Sequence, residues 1–200
     1  MKKISARKIA VTAIFLALIA IFMFTPLGFL GGFAFFFIMT VCLAAQLEGL
    51  WTGVICSTFF GLASFLGAIV APGPLSFIFS NPVASILPRI PLGFVAYYVF
   101  KLFKKLFANA KSDFVKEILP SAISAAVTVT LNTALVLGVM AIGWGTSVYD
   151  GGTIFDLILG TLLIINYPVE LAVCIIITPP VYYGVKRALN KGRKTDVART

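Results

Sequence analysis

An all-α bundle of six transmembrane helices, with N- and C-termini cytoplasmic, is the fold this sequence predicts. Three observations predict it. Of the 200 residues 60% are hydrophobic, and the mean hydropathy is +1.05, too apolar for a soluble domain, where about half apolar is usual. The apolar residues come in runs near the roughly 20 residues that a helix needs to cross hydrocarbon. The basic residues fall in three clusters separated by even numbers of runs.

The runs follow in order. Span 1 is 8–24, "KIAVTAIFLALIAIFMF". It follows a basic start, "MKKISARK", with no small-residue cleavage site, so it reads as a span and not as a signal peptide. "TPLGFLGG" (25–32) breaks it. Span 2, 33–46, is short. Glu48 and Gly49 form a tight turn before span 3, 50–70. After the proline-rich loop 71–77, span 4 runs 82–103, with Ser80 or Asn81 as its cap and Pro82 in its first turn. Pro88 and Pro91 predict a kink inside it. Span 5 is 117–142. Residues 143–152 are an exposed loop and 153–165 a short helix near the surface. Span 6 begins at "NYPVE" and runs to 186. The whole chain, 1–200, reads as a single domain.

Lys2, Lys3, Arg7 and Lys8 precede span 1. Lys101, Lys104, Lys105, Lys111 and Lys116 lie between spans 4 and 5. Lys186, Arg187, Lys191, Arg193, Lys194 and Arg199 follow span 6. With six spans all three clusters share one side, which the positive-inside rule names cytoplasmic. The net charge of +9 therefore reports topology, and nucleic acid is excluded as a partner. The expected location is the cell membrane, crossed several times and in contact with lipid.

Of 16 basic residues only Arg89 lies outside these clusters. It sits two turns into span 4 from the outer side. Glu170 sits one turn into span 6 at a comparable depth. Charges inside a membrane are costly and face a wet cavity or the bundle interior. Two readings stay open: a polar cavity open to the outside, or a structural ion pair joining spans 4 and 6. Around the pair, helix starts at Asn81 ("SNP") and Asn166 ("NYP") would offer free amides to an anion. Asn132 in mid-span 5 needs a partner, and Tyr167 stands beside the proposed mouth. These residues, Asn81, Arg89, Asn132, Asn166, Tyr167 and Glu170, form the candidate substrate site. On span 1, Ala13 and Ala17 give a small-xxx-small face.

Other chemistry is missing. There is no histidine, no metal-ligand spacing and no phosphate-binding Gly-rich loop. Cys42, Cys56 and Cys174 lie inside apolar runs and read as small hydrophobes. No nucleophile-base pair is visible, so the chain is read as neither an enzyme nor a cofactor binder. An outward cavity without an engine fits a capture subunit that borrows one. A stand-alone small-solute transporter is the rival class.

With "ARKIAVTAIFLAL", "GPLSFIFSNPVASILPRIPLG" and "NYPVELAVCIIITPP" quoted, the chain resembles the substrate-binding S-components of energy-coupling factor (ECF) vitamin transporters over nearly its whole length. The last two stretches are most similar to the pantothenate branch, with cobalamin and uncharacterised relatives close by, and less similar to the riboflavin, thiamin, folate or biotin branches; an S-component for cobalamin or another vitamin or precursor is the alternative. The resemblance implies high-affinity binding of a water-soluble vitamin. It implies an ABC-type ECF module of one transmembrane coupling subunit and two ATPases as partner, and reorientation in the membrane to release the ligand. It also implies that Ala13 and Ala17 dock on the coupling subunit.

Overall fold

A computed structural model describes residues 6–24, 34–70, 72, 75–112, 114–149 and 151–197. The break expected at 25–32 and the basic residues Lys2, Lys3 and Arg199 lie outside them. Almost everything described is helical: α1 (Ala6–Phe24), α2 (Phe35–Glu48), α3 (Leu50–Val70), two single-turn helices α4 (Ser76–Phe79) and α5 (Pro82–Ser85), α6 (Ile90–Leu106) and α7 (Leu119–Trp144), which a π-helical turn at Phe114–Ile118 leads into. A two-residue hairpin, β1 (Val148–Tyr149) and β2 (Gly152–Thr153), precedes α8 (Ile154–Leu157). A π-helical stretch, Ile158–Asn166, then joins α9 (Tyr167–Val197).

Among the described residues five helical segments are long and apolar enough to cross a membrane, and α2 is a shorter apolar helix of 14 residues. Its position explains its length. α2 touches α1, α3, α6, α7 and α9, and nine of its residues, including the run Thr40 to Gln46, are buried. A helix wrapped by protein on all sides is apolar all round and need not match the roughly 30 Å of hydrocarbon. α1 is the opposite case. It packs on α2 and α3 alone among the principal contacts, buries Phe15 and Ile19, and exposes Ile9, Ile14, Leu18, Ile21 and Phe24.

Span 4 runs Pro82–Leu106 and carries the interruption expected at its prolines. Residues 82–85 make one turn, 86–89 are turns, and the regular helix starts at Ile90. Pro88 and Pro91 lack amide hydrogens, so the carbonyls four residues back lose their helical donors and regular winding fails. The departure from the sequence expectation concerns 153–165, which is continuous with span 6. Thr153 and Asp156 form a reciprocal capping box, with the Thr153 amide donating to Asp156 Oδ2 at 2.8 Å. Helical winding therefore starts at Ile154 and runs through Asn166 into α9.

The broken segment is seated on α3. Gly53, Ser57 and Gly61 are spaced at four residues, a small-residue face on one side of that helix. Ser57 Oγ donates to the Ile90 carbonyl at 3.3 Å. A Cβ on Gly93 would lie closer than 3.0 Å to the Gly53 backbone, and one on Gly61 closer than 3.0 Å to Ile86 Cα. Two hydrophobic clusters result. The larger surrounds α2, while the smaller joins Ile78, Ala84, Val136, Met140, Ile154 and Ile158, so that the short helices and α8 roof the far half of α7.

The basic clusters do meet at one end. Lys104 and Lys186 both pair with Glu117 Oε2, at 3.3 Å and 2.5 Å, and Tyr182 donates to the same oxygen at 3.0 Å. Arg7 pairs with Glu48 at 3.9 Å. The ends of α2 and α6 and the starts of α1, α3 and α7 are thus on one side.

The close backbone approach of α3 and α6 makes a prediction. Gly93→Ala is expected to lower the unfolding midpoint in detergent, corresponding to a loss of about 1–3 kcal/mol. Gly138→Ala, where a Cβ meets nothing within 4 Å, is expected to raise it by up to about 1 kcal/mol. Equal effects at the two sites would refute the packing argument.

Candidate substrate-binding site

The Glu117 cluster gives a ruler for depth. Fifteen residues separate Arg89 from Lys104, fifteen separate Asn132 from Glu117, and sixteen separate Glu170 from Lys186. At about 1.5 Å per residue each stretch is roughly 22–24 Å long. Since α6, α7 and α9 pack side by side in that order, Arg89, Asn132 and Glu170 occupy one layer remote from the basic end. All three are enclosed, at 4%, 5% and 6% exposure.

Arg89 lies in the break between α5 and α6. Pro88 has no amide hydrogen, so the Ala84 carbonyl four residues earlier has no helical donor. Arg89 Nη1 supplies one, at 2.5 Å. The guanidinium also stands between two rings, with Cζ 5.6 Å from the Phe60 centroid and 5.2 Å from that of Phe79. Both are within cation–π range. Its Nε is buried and has no hydrogen-bond partner.

Glu170 does not pair directly with Arg89, although the two are within electrostatic reach. Its Oε1 accepts a short hydrogen bond from the Ala34 amide. Ala34 is the residue before α2, so the carboxylate sits at the positive end of the central helix, where the dipole favours it. The ion-pair alternative is corrected accordingly: α9 is tied to α2, not to α6, at this depth. Cys174, one turn further along α9, repeats the tie, its Sγ lying 3.7 Å from the Phe35 carbonyl.

Asn132 is buried on α7, and its Oδ1 has no partner. Two turns away from Glu170 on α9, Thr178 also has an unpartnered hydroxyl, but it lies about 12 Å along the helix. The remaining candidates stand at the edge. Tyr167 is half-buried and its hydroxyl is 3.0 Å from Thr130 Oγ1. Asn81 is half-buried and folds back to accept from the Val83 amide at 2.9 Å. It caps a single turn and not a long helix.

Asn166 is half-buried within continuous helix. The Tyr167 amide is already bonded to the Leu162 carbonyl, so "NYP" offers no free helix start. Neither Asn81 nor Asn166 therefore stands at the free start of a long helix pointing inward. The helix end that matters belongs to α2.

Sequence reasoning missed Phe60, Phe79, the Ala84 carbonyl and the Ala34 amide. One of these had a signal: Pro88 stands four residues after Ala84, which marks that carbonyl as free.

A family model for the ECF transporter, substrate-specific component, matches residues 7–182. The chain belongs to this family. No curated protein matches it. As a substrate-specific component it is a multi-pass membrane subunit of an importer, works with an ECF module, and is a transporter component and not a member of an enzyme family. The buried layer of Arg89, Asn132 and Glu170 is where this S-component brings its polar groups together away from the basic end.

Asn132→Leu tests the layer. The amide oxygen has no internal bond to lose, so stability in detergent is expected to stay level or rise by up to about 1 kcal/mol. A clear fall in the unfolding midpoint would mean that the amide serves the fold.

Proposed function

We propose that the chain is the capture subunit of an ECF importer with six membrane spans and cytoplasmic termini. It binds a small water-soluble vitamin carrying a carboxylate, pantothenate before the others, in the layer of Arg89, Asn132 and Glu170. The observation that carries this reading is the pair of buried, unpartnered atoms, Arg89 Nε and Asn132 Oδ1. One is a donor and the other an acceptor. Buried polar groups are ordinarily paired, and each unpaired one needs an explanation. A ligand that brings an anionic oxygen to the guanidinium and an N–H or O–H to the amide supplies both missing bonds.

Pantothenate has the carboxylate, the amide hydrogen and the hydroxyls that such a site requires. Its carboxylate would take the remaining guanidinium donors in charge-assisted bonds. Glu170, already held by the Ala34 amide, keeps a second oxygen for a hydroxyl. Asn81, Asn166 and Tyr167 form the rim through which the ligand passes. The enclosure of the layer favours a small ligand over cobalamin.

The outer face of α1 supports the partner half of the proposal. Ala13 and Ala17 are exposed, together with Ala10, so this stripe is not consumed by packing within the described bundle. Small residues on a lipid-facing helix permit close approach by another helix. The transmembrane coupling subunit is the proposed occupant, and the two ATPases act through it.

Purified protein analysed by mass spectrometry is expected to release pantothenate. Release of cobalamin or of another vitamin would redirect the substrate assignment. Arg89→Ala is expected to weaken binding at least about tenfold, the loss of one charge-assisted contact, while the protein still inserts in the membrane. Unchanged affinity would confine Arg89 to its bond with Ala84. Separately, Ala13→Trp or Ala17→Trp is expected to spare ligand binding and abolish uptake. Uptake at the normal rate, or uptake in vesicles lacking the ATPases, would refute the docking assignment.

A further inference from the structure

A cavity outside the polar layer lies at the basic end. It measures about 480 Å³ and opens between the end of α2 and the end of α6, lined by Gln46, Glu48, Gly49, Tyr97, Lys101, Lys104 and Lys105 among others. We propose that it binds the headgroup of an anionic phospholipid from the leaflet at this end of the bundle.

The charge balance of the cavity points to an anion. Glu48 is paired with Arg7. Lys104 is occupied by Glu117 and by the Tyr182 hydroxyl, at 3.3 Å and 3.2 Å. The Gln46 amide is satisfied by Ser121, which donates to its Oε1 at 2.7 Å. Two exposed ammonium groups remain on the rim. Lys101 meets only the face of Tyr97, at 5.6 Å, and Lys105 has no partner among the described residues. The wall they stand on is thus positive with no carboxylate of its own left unpaired.

The surroundings choose a lipid over a dissolved anion. Tyr98 and Leu102 each follow a cavity residue, so they lie a step of about 100° round α6. They are 54% and 62% exposed. Trp51 stands two residues after Gly49, at 67% exposure. An apolar, aromatic-edged surface therefore runs directly into the lysine rim. That is the arrangement expected where acyl chains lie against the protein and the phosphate reaches a basic pocket at the membrane surface. Tyr and Trp belong at this depth.

The test uses the full chain in an uncharged detergent, with native mass spectrometry counting retained lipid. Dioleoyl phosphatidylglycerol is expected to be retained over dioleoyl phosphatidylcholine. The double variant Lys101→Gln/Lys105→Gln is expected to lose this preference by roughly tenfold or more while its unfolding midpoint stays unchanged. Equal retention of the two lipids would overturn the proposal. So would displacement of phosphatidylglycerol by millimolar glycerol 3-phosphate, which would mark a soluble-anion site. If the variant keeps its lipid but no longer captures the ECF module, the lysines serve the partner protein and the lipid assignment falls. None of these outcomes depends on the vitamin bound in the outer layer.

Discussion

A permanently charged guanidinium, placed where the chain cannot wind a regular helix, is the constraint on which the rest of the bundle depends. Arg89 cannot discharge by losing a proton. A charge at a helix centre costs about 2.5–3.5 kcal/mol on insertion scales and more in other treatments, and Arg89, two turns from the outer end of span 4, lies shallower than that. A hydrogen bond to a charged group contributes about 1.5–3 kcal/mol, and each cation–π contact about 0.5–2. The bond to Ala84 and the two phenyl faces are therefore of the size needed to hold the charge with no counterion in contact. The proline that breaks the helix also frees the carbonyl that receives the guanidinium. Break and charge form one device, and it leaves Nε open.

That device requires a neighbour able to come close. α3 provides it through Gly53, Ser57 and Gly61, whose lack of bulk lets the turn 86–89 and Gly93 lie backbone against backbone. Glu170 has the complementary problem and a different solution. It takes the amide before α2, so its charge is met by a helix terminus and not by Arg89. The two opposite charges share a layer without neutralising each other in a contact pair. A structural ion pair would have closed this layer and satisfied it. The arrangement found leaves it polar and incomplete.

Much of this was legible in the residues. Apolar runs and the basic clusters predicted which ends lie together, and Glu117 holds Lys104 of the second cluster and Lys186 of the third at once. Arg89, Asn132 and Glu170 stand out because polar groups in hydrocarbon have few reasons to exist. What could not be read was partnership. Glu170 and Ala34 are 136 residues apart in sequence, and no local pattern links them. The continuity of 153–165 with span 6 was hidden for another reason. "NYP" has the signature of a helix start, while the Tyr167 amide bonds back to the Leu162 carbonyl and carries the winding through it. The shortness of span 2 was visible in the sequence, but its cause was not. Burial on every side removes the need for length.

The central position of α2 also relates the two faces of the molecule. α2 and α3 are the elements that pack against α1, whose outer side carries Ala13 and Ala17. The same two elements wall the polar layer, α2 through the Ala34 amide preceding it and α3 through Phe60 and Gly61. The surface proposed for the coupling subunit and the groups proposed for the ligand therefore lie on opposite sides of α1 and the two helices it packs on. They are separated by a core in which Phe37 and Phe60 stack at 5.0 Å. Close-packed interiors transmit displacement because they have little free volume to absorb it. A partner that presses on α1 thus acts on the walls of the layer directly. No bond need be rearranged at the basic end, where Glu117 keeps α6, α7 and α9 tied together.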